Sequence, residues 1–223
     1  DSPSCTTATN TIETFQIYNN DSGAPASYST SANTYTTDAN RIGASAAVYN
    51  GRLYIAGGCT GTTDCSTTTG SVMWTTIDSY GALGTWQQNP GTGNADLPAA
   101  RAWGQLEVAG GTLYYVAGQN SSGTASNQTY YTDSINSGTG EPHWQLSSQT
   151  MPGSRKVVGA ASWNNRIYVV GGLNTGGSPT AQTSVYYSSQ QNSGGDLTGW
   201  STGTSLSVAR YGAAVGAYAN NLY

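Results

Sequence analysis

The chain has 223 residues, enough for one sizeable core, and only 8% of them are charged, with 11 acidic and 7 basic residues giving a net charge of −4. One lysine, Lys156, and no basic run exclude a protein that holds nucleic acid by neutralising phosphates, and apolar stretches such as Leu53–Ala56 are too short to span a bilayer. Sixteen Tyr, six Trp and abundant Thr and Val, set among 30 Gly, exclude a disordered chain and predict short strands joined by tight turns.

The first predicted elements are half of a repeat. TFQIYNNDSGAPASY (14–28) lies without gaps on VMWTTIDSYGALGTW (72–86), pairing Gly23 with Gly81 and Tyr28 with Trp86. No basic n-region or apolar h-region opens the chain, so any signal peptide is expected to have been removed already.

Arg41 then opens a hairpin, ASAAVYNGRLYIAGG (44–58), with Asn50-Gly51 as a pair suited to the positive φ angles of a type I′ turn. The pattern returns three times, in GQLEVAGGTLYYVAGQ (104–119), GAASWNNRIYVVGG (159–172) and GAAVGAYANNLY (212–223). The turns are assigned to Gly110-Gly111, Asn164-Asn165 and Asn220-Asn221. A glycine pair closes the second strand at Gly57-Gly58 and Gly171-Gly172, and in the middle copy it reads as Gly118-Gln119.

After each full hairpin comes an aromatic-rich strand (SVMWTTID, QTYYTDSIN, TSVYYSSQQN) and then a tryptophan: Trp86, Trp144 and Trp200. An arginine follows and opens the next copy. Arg41, Arg101, Arg155 and Arg210 are spaced by 60, 54 and 55 residues. The domain organisation is thus one repeat domain, with a half-blade at 12–40, blades at 41–100, 101–154 and 155–209, and a half-blade at 210–223.

A four-stranded unit with an arginine before the first strand, a glycine pair after the second, an aromatic pair in the third and a tryptophan in the fourth resembles the Kelch repeat, although these copies run longer than its usual ~50 residues. The resemblance covers essentially all of 12–223. It implies an all-β propeller of four-stranded blades and no particular enzyme activity. Trp86, Trp144 and Trp200, with Tyr28 in the first half-blade, are expected to pack blade against blade. Complementary halves at the two ends allow a closed four-bladed ring, a piece of a larger propeller, or exchange of half-blades between molecules. Either of the first two is favoured over the third.

The inventory for chemistry is short. Cys59 and Cys65, in CTGTTDC, read as a disulfide-closed loop, leaving Cys5 unpaired or bonded elsewhere. His143 is the sole histidine, which excludes the Kelch-type copper oxidases and histidine-based zinc or iron sites. SYGALGTW (79–86) has glycine where a sialidase Asp-box needs aspartate, and Glu13, Glu107 and Glu141 fall at unrelated repeat positions. No metal and no cofactor is implied. The arginine set is read first as structural, with donors for an anionic or polyhydroxyl ligand as the functional alternative. The loops 120–128 and 174–182 are polar and of variable length, as interaction loops are.

The function expected is therefore a non-catalytic interaction module at the cell surface or outside the cell, binding protein or glycan. The alternative is a structural subunit of an extracellular filament or surface layer, formed by self-assembly. A carbohydrate-active enzyme ranks below both. The disulfide and the low charge point to export, and Asn20, Asn120 and Asn127 head glycosylation sequons.

Overall fold

The computed structural model describes residues 41–60, 65–89, 94–175 and 178–223, together with the backbone of two strands nearer the N-terminus. Cys5 and Asn20 lie outside the described residues, as does the side chain of Tyr28.

Among the described residues, sixteen strands form five antiparallel sheets. β1 (Glu13–Ile17) and β2 (Pro25–Thr30) pair as a hairpin. The first blade runs in spatial order β3 (Ser45–Tyr49), β4 (Arg52–Ala56), β5 (Val72–Thr76), β6 (Gln87–Gln88). The second holds β7 (Ala102–Ala109), β8 (Thr112–Gln119), β9 (Thr129–Ile135) and β10 (Pro142–Leu146). The third holds β11 (Gly159–Trp163), β12 (Arg166–Val170), β13 (Val185–Ser188) and β14 (Trp200–Thr202). β15 (Ala217–Tyr218) and β16 (Asn221–Leu222) close the series as a second hairpin. Among the described residues the two hairpins are separate two-stranded sheets.

The core lies between blades rather than within them, because a four-stranded sheet has two faces and only a neighbour can cover each. Tyr54 and Trp74 of the first blade pack with Leu113, Tyr115, Tyr130 and Trp144 of the second. Tyr114 and Val116, on the opposite face of β8, pack with Ile167, Val169 and Tyr186 of the third. Every residue of β8 is consequently buried.

Hydrogen bonds repeat across these seams. Tyr54 donates its hydroxyl to the Gly140 carbonyl at 3.0 Å, and Trp74, its cross-strand partner, donates its indole N–H to Thr139 at 2.9 Å. Both acceptors sit in the β9–β10 turn of the following blade. One seam later, Tyr114 donates in the same way to Gly195 in the β13–β14 turn.

Nearer the axis a ladder of backbone bonds links one residue per blade: Trp103 N–H to Gly43, Val157 N–H to Trp103 and Gly212 N–H to Val157, each at 2.8 Å. All four residues hold positive φ, between 51° and 64°. Glycine adopts this conformation freely, whereas tryptophan and valine are held there against steric cost.

This ladder sets the register and corrects two turn and glycine assignments. Tyr218 pairs with Asn221, so the last hairpin turns at Ala219-Asn220, both at positive φ, rather than at Asn220-Asn221. The better local turn pair yields because moving the turn would break the seam bond at Gly212 and the 2.9 Å bond from the Trp163 indole to Asn220. The second glycine of each pair donates to an arginine carbonyl of the next blade: Gly58 to Arg101, Gly118 to Arg155 and Gly172 to Arg210. The middle pair is therefore Ala117-Gly118, not Gly118-Gln119. Ala117 takes φ +64 where Gly57 and Gly171 take +67 and +62. A Cβ at Gly57 or Gly171 would come within 2.4 Å of the next arginine's carbonyl oxygen. The middle seam accommodates such a Cβ, and its bond from Ala117 N–H to Gln128 lengthens to 3.3 Å, against 3.1 and 2.9 Å at the equivalent glycines.

Candidate functional site

The arginines stand at equivalent places, two residues before the ladder position of each blade. Arg41 and Arg155 are each 7% exposed. Arg41 donates to the carbonyls of Gly57 and Ser71 at 3.3 and 2.9 Å. Arg101 donates to Gln128 and lies over the Tyr130 ring, 5.7 Å from its centroid. Arg155 donates to the Ser184 hydroxyl at 2.8 Å and the Tyr186 hydroxyl at 2.7 Å, with its guanidinium 5.1 Å from that ring. Ser71, Gln128 and Ser184 are the same repeat position, just before the third strand. In these three blades the guanidinium thus ties the entry of the first strand to the third. Arg210 differs: it is exposed, and among the described residues its guanidinium donates only a long 3.5 Å bond to Val208.

The tryptophans divide similarly. Trp144 is buried in the seam between the first and second blades, and Trp200 packs half-buried against the next seam. Trp86, also half-buried, immediately precedes β6. Cys59 and Cys65 form a disulfide. Asn120 uses its side-chain oxygen to accept the N–H groups of Ser122 and Thr124, both at 3.0 Å, while Asn127 points its amide at the Met151 carbonyl and its sequon threonine, Thr129, is fully buried.

His143 and Asp133 form a network on β9 and β10. The imidazole Nδ1 lies 2.7 Å from the Asp133 carboxylate, and Nε2 lies 3.2 Å from the Asn94 amide nitrogen. That pair of partners makes Nδ1 the donor and Nε2 the acceptor. Partial burial pushes the Asp133 carboxyl up, but hydrogen bonds from His143, Gln145 and Ser134 outweigh it and hold the group below its ordinary value. The neighbouring hydroxyl, Ser134, donates to the carboxylate rather than facing Nε2. A nucleophilic relay needs the hydroxyl on the other side of the imidazole. Among the described residues, no group of three or more His, Cys, Asp or Glu side chains is placed to hold a metal ion.

The loops between second and third strands converge on the face that also carries the start of the axial ladder. The first is closed by the disulfide, and its Thr68 bonds Ser121 of the second loop through both N–H (3.1 Å) and hydroxyl (2.9 Å). The second joins the third through Ala125 N–H to the Thr175 hydroxyl at 3.0 Å. Lys156 donates to the Gly123 carbonyl at 2.6 Å and braces the second loop from the third blade. Trp103 sits at the centre, half-buried, packed with Ile42 against Cys59, Cys65 and Ala102. Its ring lies so close over Gly43 that a Cβ there would come within 2.6 Å of it. Sequence reasoning overlooked Trp103. The available signal was a bulky aromatic at the repeat position occupied elsewhere by Gly43, Val157 and Gly212.

The family model for the Kelch motif matches residues 40–73, which span β3, β4 and the start of β5. A solved structure titled "Structure of YjhT" superposes with a TM-score of 0.54 at 13% identity, covering 78% of this chain and 49% of that chain. Residues 40–73 carry a Kelch motif, and the fold is that of a β-propeller. No curated protein matches its sequence. The Kelch-like chain spans about half the length of that solved neighbour. Kelch propellers are interaction scaffolds and generally non-catalytic, and no helix among the described residues is long and apolar enough to cross a membrane.

Proposed function

We propose that the protein is a non-catalytic interaction module working outside the cell, and that it takes a protein or a glycan on the loop face around Trp103. The observation that carries this reading is the combination at that face. A half-buried indole is held at φ +60, and the loops around it are tied to one another before any ligand arrives. Loops fixed in advance lose little entropy on binding, and an indole face suits both a sugar's C–H face and a proline ring. The loop sequences are rich in hydroxyls and amides and carry little charge, which favours a neutral polyhydroxyl or peptide surface over an anionic one. The Cys59–Cys65 disulfide supports an oxidising compartment.

The test is binding to glycan and secreted-protein arrays by the intact chain and by Trp103→Gly, which keeps the left-handed backbone at no steric cost. The expected result is loss of binding with the melting temperature changed by only a few degrees. Binding that is indifferent to Trp103→Gly removes the loop face from consideration.

A further inference from the structure

Two adjoining cavities lie at the end of the second blade opposite the loop face, where the β3–β4, β7–β8 and β9–β10 turns gather. The smaller, ≈ 190 Å³, runs between Tyr49 and Asn50 of the first blade and Thr132 of the second. The larger, ≈ 650 Å³, is bounded by Asn94, Glu141, Pro142 and His143. Asp133, Ser134, Ile135 and Asn136 line both, so the two form one cleft around the end of β9. The smaller part is several times the ~30 Å³ share of a water molecule, and the larger falls within the roughly 300–1,000 Å³ of small-molecule sites. The repeat shows why a cleft stands here and not one seam later. YYTDSINSG (130–138) and YYSSQQNSG (186–194) align without gaps, which sets Ile135 against Gln191 and Asp133 against Ser189. Gln191 donates to the Gly110 carbonyl at 2.7 Å and accepts from the Tyr114 hydroxyl at 2.8 Å. It lies so close to the β7–β8 turn that a Cβ at Gly110 would come within 2.5 Å of it. Ile135 has no polar atom with which to bridge to the matching turn, Asn50-Gly51, and a Cβ placed at Gly51 meets nothing within 4 Å.

The groups that line this cleft are acceptors and donors in mixed order. Asp133 accepts from His143, Gln145 and Ser134, which orients its carboxylate and leaves about one of its roughly four lone-pair positions open. Its side chain is 33% exposed and that of His143 43%, so a ligand reaches both. Glu141 closes the turn with its backbone, accepting from Asn136 and donating to Thr139, and its carboxylate has no bonding partner among the described residues. Asn136 accepts from Gly138 and Thr139 through its side-chain oxygen, which leaves its amide hydrogens to donate. A carboxylate beside an amide suits adjacent hydroxyls, each of which donates and accepts. Tyr49, Ile135 and Pro142 add apolar surface for a C–H face. Two carboxylates disfavour an anion, and Arg52, the nearby cation, is turned to the Gly138 carbonyl at 2.9 Å. We propose that this cleft binds one ring of a neutral sugar, with ring hydroxyls on Asp133, Glu141 and Asn136 and the C–H face on Ile135. The site lies at the opposite end of the blades from Trp103 and is independent of the ligand proposed for the loop face.

Magnetic resonance titration of the isotope-labelled chain with the methyl glycosides of glucose, galactose and mannose tests it. His143 is the sole histidine, so its imidazole gives one set of signals and reports on this cleft alone. At least one glycoside is expected to shift those signals and the amides of 133–136, saturating in the millimolar range. Ile135→Gln, which reproduces the bridge of the next seam, weakens binding at least about tenfold with the amide spectrum elsewhere unchanged. Glu141→Gln removes a charged acceptor that holds nothing in the fold, weakens binding about fivefold, and serves if Ile135→Gln fails to fold. No shift with any of the three glycosides overturns the proposal, as do shifts that gather around Trp103 instead. Full-strength binding in folded Ile135→Gln or in Glu141→Gln overturns it as well, and so does binding that requires added calcium, which would assign the carboxylates to a metal.

Discussion

At the scale of single residues, the repeat shows which positions matter by what happens when a copy departs from it. Ala117 occupies a left-handed position that glycine holds in the flanking blades. A non-glycine residue there costs about 1–2 kcal/mol, partly offset by the smaller unfolded-state entropy of alanine. Ala117→Gly is therefore expected to stabilise the fold by about 0.5–1 kcal/mol, read as a higher midpoint in urea. Arg155 makes the opposite case. It is buried, and Arg155→Ala leaves Ser184 and Tyr186 without their donor, at a cost of about 2–3 kcal/mol. Arg155→Lys is expected to recover little of this, because a single ammonium cannot match the planar fork that reaches both hydroxyls and stacks on the ring. Urea melts of both variants check the pair, and full recovery by lysine would reduce the site to a simple charge requirement.

At the scale of elements, strand 4 of the second blade is fastened by titratable groups. Asp133 on β9 accepts from His143 and Gln145 on β10, and its carboxyl is held below its ordinary value in the fold. A depressed folded value means that the charged form is favoured by folding. The stability it contributes is present above the unfolded value near 4 and is lost as pH falls through the folded one. Asp133→Asn is expected to flatten that acid limb of the melting-temperature profile while leaving the profile near neutrality parallel to that of the unaltered chain. An unchanged acid limb would assign the loss to other carboxylates. The hairpins were legible from sequence because their turn pairs and alternating strands are local signals. The placement of Ala117-Gly118 and Ala219-Asn220 was not, since both are set by seam bonds to residues about 40 to 60 positions away. The arginines were legible as a periodic set, but their targets at Gln128 and Ser184 lie across the blade. Trp103 was overlooked because it breaks the repeat, and a search for similarity passes over the position that differs.

At the scale of the whole molecule, each blade is stabilised by its neighbours, so stability should follow the number of covered faces. The second blade is covered on both sides, with β8 buried throughout. The third blade is covered on one face by the second, while its other face carries an open groove and the largely exposed β15–β16 hairpin. Hydrogen exchange should read this as a gradient. The amides of Tyr115 and Val116 are expected to exchange only with global opening, and those of β12 and β13 earlier. The amides of 217–222 should exchange fastest, by at least about a hundredfold relative to β8, equivalent to ~3 kcal/mol. Uniform protection along the chain at low concentration would mean that the blades open as one unit, and that the groove end is already as well held as the middle of the propeller.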